Sequence, residues 1–168
     1  MKMTELFLSQ LEREAAISRR VLGRVPEGRS DWKPHEKSMP LGYLATLVAT
    51  MPAWIAMTIL KDSLDLNPPE GPRHTPPQWS TTAELLAMLD DSVAQGKDAL
   101  AKTTDDHLLT PWRLLYSGQT VMEHPRHIVI ADTLNHRAHH RGQLTVYLRL
   151  NEVPVPSIYG PSADERQF

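Results

Sequence analysis

The chain concentrates its chemistry in the run Asn135-His136-Arg137-Ala138-His139-His140-Arg141-Gly142-Gln143. His136 and His140 are spaced i, i+4, roughly 40° apart on a helical wheel, and Val129, Asp132, Gln143 and Tyr147 fall in the same stripe. One helix therefore offers two imidazoles on one face, the spacing by which a helix holds a metal ion in zinc proteases and bundle metal sites. That stripe is expected to look into the protein, with Arg137, Arg141, Thr145 and Arg149 on the solvated side. Burial makes an imidazolium costly, so two neutral rings side by side call either for a shared cation or for separate hydrogen-bond partners. The spacing alone leaves both readings open.

Other donors stand nearby. Asp132, one turn before His136, can serve as a carboxylate ligand, as the acceptor that fixes a histidine tautomer, or as a surface-edge partner of His136. His124 and His127 flank the start of the same helix, where capping is the ordinary role and a contribution to an incomplete metal site the alternative. His139 lies off the stripe on its other side, suited to hydrogen bonding or to a subunit interface. His35, His74 and His107 fall in loops and read as surface residues. Cysteine is absent, which removes disulfides, thiolate ligands and a cysteine nucleophile, so any metal must be held by nitrogen and oxygen. No Gly-x-Ser-x-Gly elbow is present to support a serine nucleophile.

The elements that must position these groups read as helices. Leu8, Leu11, Ala15, Ser18 and Leu22 recur at steps of three and four over residues 4–25, until Pro26 and Gly28 stop the pattern. Ser38 and Pro40 open a second helix reaching about residue 62, with a kink expected near Val48 because Pro52 removes a hydrogen bond and its ring meets that carbonyl. Residues 67–79 hold five prolines and should form a stiff connection. Thr81 and Glu84 make a capping box for a third helix to about residue 103. Residues 104–122 read as an ordered loop with a short helical piece and a turn at Gly118. A fourth helix spans about residues 125–151, ~40 Å long, and Pro154, Pro156 and Pro161 keep the tail extended. No alternating run is long enough to suggest a sheet, so the expected fold is all-α, a four-helix bundle with long loops in a single domain over residues 1–168.

Composition bounds the function. The 168 residues can bury about 68 to 70% of the unfolded surface around one core, so no metal is needed merely to fold. Eighteen basic against twenty acidic residues give a net charge of −2 with no basic run, which argues against nucleic acid as a partner. The N-terminus lacks the pattern of a secretory signal, so a cytoplasmic protein is expected. Residues 39–60 carry no charge and are long enough to raise the membrane question, but three threonines and two prolines favour a helix buried in the bundle.

The string from His136 to Leu144, followed by Tyr147-Leu148-Arg149 and then residues 156–165, resembles the DinB-like family of damage-inducible bacterial proteins. Trp32-Lys33-Pro34, Pro52-Ala53-Trp54, Pro111-Trp112 and Gly118-Gln119 extend the resemblance over nearly the whole chain. It implies helices in up-down-down-up order, a homodimer, and a divalent metal, zinc or nickel, held by three histidines; some members are thiol-dependent transferases. Two ligands carry over to His136 and His140. The third is expected from the second helix, where this chain has Leu47, a residue without a lone pair. The resemblance thus implies either a metal-dependent hydrolase or transferase, with Gln143 or Tyr147 orienting substrate beside Leu47, or a non-catalytic binding or dimerisation protein whose metal site has degenerated.

Overall fold

A computed structural model describes residues 1–70 and 77–166. Helix α1 (Met3–Leu22) starts where Lys2 N–H donates to Glu5, and its next two free N–H groups, from Met3 and Thr4, donate to the Asp105 carboxylate at 2.9 and 3.1 Å. Pro52 divides the second helix into α2 (Leu41–Thr50) and α3 (Pro52–Leu60), bent by 50°. Proline cannot donate to the Val48 carbonyl, so α2 closes with Met51 N–H on Leu47 O and α3 restarts with Pro52 in its first turn. Neither piece is long and apolar enough to cross a membrane, nor is any other single helix among the described residues.

Helix α4 (Thr82–Lys102) opens on the capping box, with Glu84 N–H on Thr81 Oγ1 at 3.2 Å and Thr81 N–H on Glu84 Oε2 at 3.1 Å. A single turn, α5 (Asp105–Leu108), follows, and the chain ends in α6 (Arg126–Leu150), about 38 Å long at ~1.5 Å per residue, before the extended tail. Of the proline-rich connection, residues 71–76, with Pro72, His74 and Pro76, lie outside the described residues.

Four rods form a ring in which α1 and the bent α2/α3 each pack on both α4 and α6. Ion pairs of Lys97 with Glu12 and of Arg19 with Asp90 set α1 and α4 antiparallel. One end of the core gathers Val21, Leu22, Leu44, Val48, Leu85, Leu89, Leu144 and Leu148, and the other Phe7, Leu11, Ile55, Ile59, Leu100, Leu108 and Ile130. Between them Gly96 lets α4 touch the α2/α3 break, where an added Cβ would stand 2.9 Å from the Pro52 carbonyl.

The expectation of an all-α four-helix bundle is overturned. The described residues hold six helices and a three-stranded mixed sheet: β1 (Ser63–Asp65) pairs in parallel with β2 (Pro111–Tyr116), and β2 pairs antiparallel with β3 (Gln119–Pro125). Ser117 and Gly118 join β2 to β3 with φ of 51° and 78°, the two left-handed residues of a tight hairpin turn. Asp65 clamps that turn, accepting from Ser117 and Gly118 N–H at 3.0 and 2.7 Å. The sheet stands off the core: in β2 only Trp112 is buried, and no residue of β3 is. With so few of its positions covered, the sheet imposes little alternation of apolar residues, which is why the sequence reads as loop.

Candidate functional site

Helix α6 carries the site. The imidazoles of His136 and His140 lie 4.6 Å apart between ring centroids, and His139 stands 5.3 Å from His140. Trp54 of α3 closes one side, its indole set edgewise to His136 at 5.9 Å and 63°. His140 is buried, while His136 and His139 are exposed. His140 Nδ1 donates to Gln143 Oε1 at 2.8 Å, which fixes the proton on Nδ1 and leaves Nε2 with its lone pair. Desolvation, then the charge on His140 and that on His139, holds the His136 pKa below the ordinary imidazole value. The shift favours the neutral His136 ring, the state in which imidazole binds metal.

The inward stripe is rotated from the one expected. His136 and Asp132 sit on the exposed side, whereas Arg137 and Arg141 are each 1% exposed. Both arginines occupy the stripe of Ile130, Thr133, Leu144 and Leu148, spacing that was available as a signal, but charge argued against burying them. Arg141 is matched: it pairs with Glu14 at 2.7 Å, donates to Ser18 Oγ at 3.1 Å and meets the Tyr159 hydroxyl at 2.5 Å. Arg137 donates only to the Glu14 carbonyl, and its Nε and Nη1 have no partner among the described residues. Burial and then Arg141 lower its pKa to about 10.

The remaining candidates divide. Gln143 reaches His140, and Leu47 is half-buried on α2, which packs against α6. Tyr147 commits its hydroxyl to the Met39 carbonyl at 3.1 Å and its ring to Trp32 at 5.5 Å. His127, nine residues or about 13.5 Å along the helix from His136, bonds the Leu108 carbonyl at 3.1 Å, and His107 bonds that of Ile59 at 3.0 Å. His124 lies in β3 opposite Trp112, and His35 accepts from Lys37 N–H. Among the described residues no three His, Asp or Glu side chains come together as a ligand set. Trp54 and Glu14 were missed as neighbours of this helix because nothing local marks a contact made across more than eighty residues, and Tyr159, 18 residues beyond Arg141, because the extended tail has no periodicity to show where it folds back.

Three comparisons agree with this architecture. An uncharacterized protein, YrdA, of Bacillus subtilis is 28% identical over 163 residues, covering 95% of this chain and 89% of that protein. A DinB-like protein from Bacillus cereus superposes with a TM-score of 0.70 at 23% identity, covering 92% of this chain and 97% of its own. Another from Bacillus subtilis gives 0.66 at 14% identity, covering 96% and 99%. At such identities the two structures speak to fold alone. The model described as DinB family matches residues 1–167, so the chain belongs to the DinB family.

Proposed function

We propose that this chain holds a divalent metal ion, zinc or nickel, on His136 and His140 and acts as a metal-dependent hydrolase or thiol-dependent transferase. The observation that carries the reading is the pair itself: two imidazoles 4.6 Å apart, one with its tautomer set by Gln143. Such an ion would supply the Lewis acidity that brings a water or thiol to ionise near neutral pH. The chain's own residues have separate parts. Gln143 keeps the His140 Nε2 lone pair available, Trp54 walls the His136 side, and Leu47 contributes apolar surface. A specific observation favours a second reading, a non-catalytic binding protein: two nitrogens from one chain fall short of the three protein ligands usual in a catalytic zinc site, and Leu47 cannot supply another.

Nickel titration followed by tryptophan fluorescence tests the reading, since Trp54 borders His136. Saturable quenching that is lost in His136→Ala and reduced in Trp54→Phe is expected. Quenching that ignores both substitutions would remove the metal from this pair.

A further inference from the structure

On the side facing α1, helix α6 buries two guanidiniums that converge on one point. Arg137 and Arg141, each 1% exposed, both donate to the Glu14 carbonyl, at 3.2 and 3.3 Å. Arginine this deep is ordinarily paired, because an unmatched charge taken out of water is costly. Here the charges do not balance. The carboxylate that meets the two guanidiniums among the described residues is Glu14, and its Oε2 is shared between Arg141 at 2.7 Å and the Tyr159 hydroxyl at 2.8 Å. A third guanidinium, that of exposed Arg13, stands 5.9 Å from the centroid of the Tyr159 ring. One negative charge thus answers three positive ones, and Arg137 keeps Nε and Nη1 without a partner among the described residues. Tyr159 is the cover. Its hydroxyl meets Arg141 Nη2 at 2.5 Å, yet the residue is 58% exposed, so its ring can swing into solvent by giving up the hydroxyl's bonds to Arg141 and Glu14.

We propose that Arg137 and Arg141 form a carboxylate-binding site beneath Tyr159, in which the carboxylate of a small acid bridges the two guanidiniums and takes the place of the Tyr159 hydroxyl on Arg141. Both guanidiniums reach the same carbonyl oxygen, so one carboxylate can touch both. The planar guanidinium matches a carboxylate in shape, and charge-assisted bonds of this kind are stronger than the neutral hydroxyl contact they replace. Charge selects the ligand further. With Glu14 kept on Arg141, a single added negative charge brings Arg137 into balance, whereas a doubly charged phosphate would bury a second charge with no buried cation left to meet it. The site uses neither His136 nor His140 and does not depend on the metal reading.

Nitrogen-detected magnetic resonance of the arginine side chains tests this on the natural protein, Arg137→Met and Tyr159→Phe, with chelator present throughout so that no metal contributes. Acetate is titrated in place of chloride at constant ionic strength, and inorganic phosphate in a parallel series. The Arg137 Nε–H signal is the one missing from Arg137→Met. Saturable displacement of the Arg137 and Arg141 signals by acetate is expected, with phosphate binding more weakly. Followed at Arg141, acetate affinity should fall about tenfold or more in Arg137→Met. It should rise in Tyr159→Phe, which has no hydroxyl to compete for Arg141. Signals that do not move in the natural protein, or equal affinity in Arg137→Met, overturn the site. Tighter binding of phosphate than of acetate overturns the carboxylate assignment, and unchanged affinity in Tyr159→Phe overturns the exchange with the hydroxyl.

Discussion

Arg137 and Arg141 sit one helical turn apart and equally buried, yet their removal should act in opposite directions. Arg141→Met strands the Glu14 carboxylate and the Tyr159 hydroxyl that it serves, and breaking a buried pair from one side destabilises by about 3 kcal/mol or more. Arg137→Met removes a guanidinium with two unmatched nitrogens and relieves like charge against Arg141, so stability should hold or rise by about 1 kcal/mol. Urea denaturation of the two variants checks the contrast, and equal losses would show that Arg137 is satisfied. The depressed Arg137 pKa has a signed consequence. A base whose folded pKa, about 10, lies below its unfolded value binds fewer protons when folded, so its penalty is present at neutral pH and lifts as pH rises through that value. At this scale the sequence was legible for His136 and His140 as neighbours, and for Gln143 as part of their stripe. It misled on the arginines, because a periodic stripe cannot say which of two polar types the core has partners for.

Elements differ in how openly they announce themselves. The α4 capping box and the break at Pro52 were readable because their causes lie within four residues. The start of α1 was not, since its free N–H groups find Asp105, about a hundred residues away. Those backbone bonds hold the Asp105 carboxyl below its usual pKa, so its contribution is present above the unfolded value of about 3.9 and is lost as pH falls through the lower folded value. Asp105→Ala should speed amide exchange in the first turn of α1 at pH 7 and lower the melting temperature; unchanged exchange there would mean the cap is idle. The β2–β3 hairpin left only its turn visible. Gly118→Val forces a branched residue into a φ of 78° and should destabilise the hairpin by about 1 to 2 kcal/mol, seen as selective loss of exchange protection in β2 and β3. Protection unchanged in both strands would contradict that account.

Across the whole molecule, the helical ring follows from periodicity, and the bent α2/α3 rod from one proline, while the sheet hangs outside the core that periodicity reports. The proposed metal site lies on one face of α6, where Gln143 sets a tautomer and Trp54 borders the pair. On that proposal Leu47 would limit how strongly the face holds an ion, because it stands at the position where the family resemblance places an imidazole. Replacing it with histidine adds a nitrogen ligand of the kind zinc favours, and a further ligand should tighten binding at least tenfold, about 1.4 kcal/mol. The most direct measurement is a calorimetric zinc titration of the natural protein, His136→Ala and Leu47→His under one set of conditions. The account predicts the tightest binding in Leu47→His, weaker binding in the natural protein and the weakest in His136→Ala; equal affinity in all three would contradict it and leave His136 and His140 as histidines without a metal.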